Sequence, residues 1–179
     1  VAMSVDVIYS STLSRTKQSA EILAKYLSID PFEIRLEPNL REFSIGILTG
    51  VPSSQLKANQ DYLNIYKNWL ADTDYAQPTG PSGMPDEYTK HCLEGKEFIG
   101  ESLNTCRNRV WNALEKIVSE NKGKTIVVST HGGVIGMALC VVTDTPIEKY
   151  NKQVPPNASV TQLKFADDGT VIWVNAPSE

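Results

Sequence analysis

Between Lys124 and Val142 the chain reads KTIVVSTHGGVIGMALCVV. The first part is a nearly unbroken run of β-branched apolar residues, the signature of a strand buried on both faces, as in a parallel sheet. A histidine and two glycines follow. The last part, VIGMALCVV, is apolar on every side and predicts a buried helix. A strand that feeds a buried helix through a tight turn is the repeating step of α/β folds.

The same step occurs near the start. VDVIYS (5–10) predicts a strand, and RTKQSAEILAKYL predicts a helix whose inner face carries Ala20, Leu23, Ala24 and Leu27. FEIRLE reads as a second strand, and the polar loop PNLREFSIGILTGVP leads to a helix from Ser53 to Leu70. Residues 71–100 include AQPTGPSGMPDE, whose prolines and glycines break regular structure, so this stretch reads as a long lid-like excursion. ESLNTCRNRVWNALEKIVSEN resumes helical periodicity through Leu103, Cys106, Val110, Leu114 and Ile117, with Ser102 as its N-cap. ASVTQLKF and TVIWVN, joined by ADDG, read as a hairpin at the margin of the sheet. The expectation is one α/β domain over residues 1–179.

Composition narrows the function. Seventeen basic against 21 acidic residues give a net charge of −4, which disfavours a nucleic-acid surface. No apolar run approaches the length of a membrane span and the first residues do not resemble a signal peptide, so the expected location is the cytoplasm. Cys92, Cys106 and Cys140 form neither a C-x-x-C pair nor an even set, and reduced thiols are expected. GKT at 123–125 is no phosphate-binding P-loop: Val118 stands where the motif needs glycine, and the strand follows the lysine instead of preceding it. The triplet NAS at 157–159 matters for glycosylation only in a secreted protein.

Ligands of open α/β sheets sit beyond the carboxyl ends of the strands. Arg15, Glu42 and His131 each follow a predicted strand and so face a common cleft. A guanidinium suits phosphate oxygens. The Gly132–Gly133 turn and the helix start behind it offer backbone N–H groups to an anion. A histidine can donate or accept a proton near neutral pH, and a carboxyl group can protonate a departing oxygen. Singly, each has an ordinary reading: a turn or capping histidine, a solvated arginine, a surface carboxylate. Their conjunction describes a phosphate site with an acid beside it.

The same residues carry a resemblance. YSSTLSRTKQSAEIL is similar to the S-x-L-x-R-[AT]-x-x-[ST]-A segment of the histidine phosphatase superfamily, also called the phosphoglycerate mutase-like family. LREFSIGILTG resembles its L-x-E-x-x-x-G-x-x-x-G loop, GESLNTCRNRV its G-E-S-x(4)-R helix start, TIVVSTHGGVI its second histidine motif, and PPNASVTQLKF its N-[AC]-S-[IV] strand. The blocks occur in family order over nearly the whole chain.

The resemblance implies a three-layer α/β/α fold with a mostly parallel sheet, phosphoryl transfer through a phosphohistidine, no metal and no cofactor. It assigns Arg15 to the phosphate clamp, Glu42 to protonation of the leaving group, His131 to stabilising the transferring phosphoryl, and the backbone of Gly132 to a place beside the phosphate. Glu101 and Ser102 match G-E-S, with a mainly structural role. The implied partner is a small phosphorylated substrate, with a homo-oligomer as a further possibility.

The family's nucleophile, the histidine of an R-H-G motif on the first strand, has no counterpart between Val1 and Glu179. His91, in TKHCLEG, lies inside the excursion and reads as a loop residue or lid contact. The chain opens on Val1 and the match begins partway into the pattern, so the central first strand and its histidine are expected upstream of Val1. Phe43 and Ile45 stand where the cofactor-dependent mutases have the arginine and tyrosine of E-R-H-Y, which favours the phosphatase branch. A phosphoglycerate mutase, or a catalytically inactive relative that binds phosphate esters or a protein, is the alternative.

Overall fold

The computed structural model describes residues 4–81 and 97–175. His91, Cys92 and the greater part of the lid-like excursion lie outside the described residues. The elements are β1 (Val7–Ser10), α1 (Ser14–Tyr26), β2 (Arg35–Leu36), α2 (Ser53–Ala58), α3 (Gln60–Ala71), β3 (Gly80–Pro81), β4 (Glu97–Phe98), α4 (Leu103–Glu120), β5 (Ile126–Ser129), α5 (Gly132–Val142), β6 (Gln162–Phe165) and β7 (Val171–Asn175). Contacts cluster into two compact units, one reaching to Glu42 and resuming at Arg107, the other spanning Phe43–Cys106.

The first unit holds a parallel sheet in the order β2-β1-β5, with Tyr9 paired to both Arg35 and Val128. All four residues of β1 are buried because a strand lies on each side of it. β5 is half-buried along its length, contrary to the expectation of burial on both faces. Its sequence is that of a central strand, but among the described residues only β1 pairs with it. Helix α1 packs Ala20 and Ala24 on Ile8, with Val5, Leu27, Ile29, Ile34 and Val127 around them. Leu23 is 40% exposed, so the buried stripe is Thr16, Ala20 and Ala24 instead. These fall at i, i+4 and i+8, and the two small alanines let the helix approach the sheet closely.

Two other expectations change here. FEIRLE contributes only Arg35–Leu36 to the sheet, because Pro31–Glu33 forms a 3₁₀ turn capped by Asp30, whose side chain accepts from the Phe32 N–H. The terminal hairpin forms through Ala166–Thr170, but as its own two-stranded sheet, and β6 begins only at Gln162. Helix α5 is apolar and deeply buried as predicted, with Val134 and Met137–Cys140 in the interior.

In the second unit the predicted helix over 53–70 is two helices. Asn59 ends α2 and caps α3, its side chain accepting from the Asp61 and Tyr62 N–H groups. Trp69 is fully buried, donates from Nε1 to the Glu101 carbonyl, and has Phe43 at 5.1 Å between ring centroids. Ser44 and Glu101 exchange hydrogen bonds: the Glu101 N–H donates to the Ser44 carbonyl, and the Ser44 N–H to Glu101 Oε2. Gly46 has φ +54°, and a Cβ there would lie 2.2 Å from the Pro78 carbonyl oxygen, so that motif position tolerates only glycine. Within the excursion, β3 and β4 pair antiparallel. Ser102 caps α4 as expected, accepting from the Thr105 N–H at 3.1 Å. Its buried stripe runs through Leu103, Cys106, Val110, Ala113 and Ile117, with Ala113 taking the place foreseen for Leu114.

Candidate active site

The parallel strands β1 and β5 end at Ser10 and Ser129, and the polar groups gather just beyond them. Ser11 is fully buried and continues the pairing, its N–H donating to the Ser129 carbonyl. The Ser129 hydroxyl donates to the Thr16 carbonyl at 2.9 Å, fastening the first turn of α1 to the end of β5. The segment leaving β1 is thereby held against the segment leaving β5, which carries His131.

His131 occupies the N-cap position of α5, yet its ring makes no capping hydrogen bond. The ring turns the other way. Nε2 lies 2.8 Å from Ser11 Oγ and Nδ1 lies 3.2 Å from Arg15 Nε. An arginine N–H can only donate, so Nδ1 is the acceptor and the ring proton sits on Nε2, pointing at Ser11. Ser11 Oγ lies 2.7 Å from Thr16 Oγ1, which in turn donates to the Leu13 carbonyl at 2.8 Å. The proton directions run consistently from Arg15 through His131, Ser11 and Thr16 to that carbonyl.

The imidazole is 5% exposed. Burial, reinforced by the positive charges of Arg15, Arg109 and Arg41, pushes its pKa from 6.5 down to about 4. His131 is therefore neutral at physiological pH. Arg15 and Arg41 are exposed, so a buried neutral ring has permanent cations at its solvent side.

Glu42 reaches the same helix start by a different route. Its Oε2 accepts from the Gly133 N–H at 3.3 Å, so a carboxylate from a distant loop occupies the place a capping side chain would take. The loop before it is fixed by Arg109, whose Nη1 donates to the carbonyls of Asn39 at 2.6 Å and Arg41 at 2.9 Å. Arg15, His131 and Glu42 thus all stand at the junction of β1, β5 and α5. Gly132 begins α5, and a Cβ there would meet Val154 Cγ1 at 2.9 Å, so a larger residue would require that side chain to shift. Among the described residues no three His, Cys, Asp or Glu side chains converge as a metal site.

The sequence profile of the histidine phosphatase superfamily (branch 1) matches residues 1–176. The chain belongs to the histidine phosphatase superfamily. Histidine phosphatase relatives include "Phosphoglycerate mutase-like protein 4" of Arabidopsis thaliana, 31% identical over 93% of this chain and 63% of that protein. The chain thus spans less than two thirds of that relative. "Putative phosphoserine phosphatase 2" of Hydrogenobacter thermophilus is 25% identical over 96% of this chain and 72% of its own length. The solved mycobacterial glucosyl-3-phosphoglycerate phosphatase shares the fold with a TM-score of 0.68 at 21% identity, covering 96% of this chain and 76% of that one. The α/β architecture of histidine phosphatases is therefore that of this chain.

Sequence reasoning names Arg15, Glu42 and His131, and does not find Ser11, Arg41 and Arg109 around them. Ser11 was within reach, as the first residue of the S-x-L-x-R segment four positions before Arg15. Arg109 lay inside the segment quoted for the G-E-S helix, but a side chain that binds carbonyls leaves no mark in the sequence of the loop it holds.

Proposed function

We propose that the complete protein hydrolyses small phosphomonoesters through a phosphohistidine, with the nucleophilic histidine on a strand that precedes Val1 and pairs along the outer edge of β5. A histidine nitrogen attacks phosphorus and the bond to the alcohol oxygen breaks. Glu42 gives its proton to that oxygen. Water then attacks the phosphorus, the P–N bond breaks, and Glu42 takes the proton from the water. Arg15 and the N–H of Gly132 hold phosphoryl oxygens.

The observation that carries this reading is the neutral, buried His131 with the exposed Arg15 guanidinium on its Nδ1. Burial and, after it, the positive charges of Arg15, Arg109 and Arg41 keep the ring unprotonated, and a phosphoryl dianion arriving beside Arg15 offsets those charges. As the Arg15 N–H groups turn from Nδ1 to the phosphoryl oxygens, Nδ1 takes a proton from solvent and donates it in a hydrogen bond to a phosphoryl oxygen as charge develops there. The phosphatase branch is supported over the mutase one by Phe43, which packs on Trp69 where the mutase pattern has an arginine.

A binder without turnover is the second reading, favoured by the engagement of both His131 nitrogens with Ser11 and Arg15. Rapid acid and alkaline quench of the complete protein with a radiolabelled phosphomonoester separates the two. Turnover with an acid-labile, alkali-stable phosphoenzyme is expected. Phosphate binding with neither turnover nor labelled enzyme would leave only the binder.

A further inference from the structure

Residues 39, 40 and 41 present three successive carbonyls, and a side chain from another element takes each one. Arg109 of α4 bridges those of Asn39 and Arg41 with a single nitrogen, Nη1, at 2.6 and 2.9 Å. Between them, the Thr130 hydroxyl donates to the Leu40 carbonyl at 2.8 Å. The Leu40 side chain is fully buried, and the 3₁₀ turn Pro38–Leu40 is tied at its start by Glu37, which accepts from the Asn39 N–H at 3.0 Å. The next residue after this clamped triplet is Glu42, with its carboxylate on the Gly133 N–H.

The terminal carbonyls of a short helical turn have no partner within it and go to water or to side chains. Here a charge-assisted donor and a hydroxyl replace water on three in a row, which removes the freedom of the backbone where Glu42 begins. Thr130 is also the residue immediately before His131. One hydroxyl therefore ties the loop of the carboxylate to the strand end that carries the imidazole.

We propose that Arg109 and Thr130 are positioning residues that act through the backbone of residues 39–41 to aim the Glu42 carboxyl at the departing oxygen. The inference rests on the acid role proposed above for Glu42, and refines it. Displacing a proton donor by about an ångström costs as much as two orders of magnitude in rate, and the loss falls hardest on alcohols that need the proton most.

Two measurements on the complete protein test this. In the first, kcat/KM is compared for p-nitrophenyl phosphate and for an alkyl phosphate in wild type, Arg109→Gln, Thr130→Val, Thr130→Ser, Glu42→Gln and Arg109→Gln/Glu42→Gln. Arg109→Gln and Thr130→Val are expected to lose about tenfold more on the alkyl ester than on the nitrophenyl ester. Thr130→Ser should restore the wild-type ratio, and Arg109→Gln should not change the ratio further once Glu42 is already Gln. A uniform loss on both esters, or a full further loss in the double variant, overturns the positioning role. If Glu42→Gln itself shows no leaving-group dependence, the acid assignment fails, and the positioning role fails with it.

The second measurement needs no turnover. The Gly133 amide resonance should titrate with the Glu42 carboxylate in wild type, lose that step in Glu42→Gln, and show it clearly diminished in Arg109→Gln and Thr130→Val. An unchanged step in the last two variants, with the step absent in Glu42→Gln, sinks the positioning claim while leaving the Glu42 contact standing.

Discussion

The Nε–H of Arg15 meets Nδ1 of His131 across 3.2 Å, so a permanent cation leans on the lone pair of a buried imidazole. The contact fixes the tautomer and, with burial, discourages a second proton. It also makes the ring responsive, because whatever draws the guanidinium charge toward itself frees the nitrogen.

Stability should fall with acid in a defined window. Folded His131 titrates at about 4 and the unfolded side chain at 6.5, so the native state is the poorer proton binder. Above pH 6.5 both states are neutral and the residue contributes no pH dependence. From pH 6.5 down to about 4 the unfolded state takes up a proton that the native state refuses, so stability falls across that window. Urea unfolding across this range should show His131→Gln losing less stability with acid than wild type. Equal slopes would place the titration elsewhere.

Arg15→Gln should weaken inhibition by inorganic phosphate or vanadate in the complete protein by roughly tenfold or more, since it removes a charged donor from the anion. In the same variant the His131 pKa should move up toward 6.5, because the second of its depressing causes is gone. Inhibition constants and the His131 ring proton shifts check both halves. An anion affinity that ignores the substitution removes Arg15 from the pocket.

Glu42→Gln keeps the size of the side chain and takes away its proton. Turnover of p-nitrophenyl phosphate should decline modestly, while that of an alkyl phosphate should decline by about two orders of magnitude or more. Equal declines would take the acid role away from Glu42 and leave its contact with the Gly133 N–H standing.

Asn59→Ala removes the cap shared by the end of α2 and the start of α3. A loss of about 1 kcal/mol in unfolding free energy is expected, with kcat/KM unaltered. A neutral effect on stability would mean that water replaces the side chain on the Asp61 and Tyr62 N–H groups.

The sequence made some features legible and hid others for identifiable reasons. Helix α5 could be read because nothing in VIGMALCVV offers a polar face, and the cap of α4 because Ser102 is a strong N-cap type. The break at Asn59 is hidden in the sequence because apolar periodicity continues through it, and an asparagine is tolerated in a helix interior as well as at a cap. FEIRLE alternates like a strand, yet Pro31 and the Asp30 cap win locally, so tertiary pairing reaches only Arg35 and Leu36. Arg15, Glu42 and His131 stood out because each follows a strand. What joins them passes through Ser11, Thr130 and the carbonyls of residues 39–41, and main-chain acceptors are the same whatever residue bears them.

The first glycine after His131 sits where a methyl group would strike Val154, and Gly136, one turn later, faces the Tyr150 carbonyl oxygen at 2.8 Å from a would-be Cβ. The first glycine of the His-Gly-Gly triplet thus answers to its packing against Val154. A side chain at residue 132 therefore needs Val154 to give way, whatever the site beside it holds. Trimming the half-buried Val154 to alanine is the change that makes room for a side chain at residue 132.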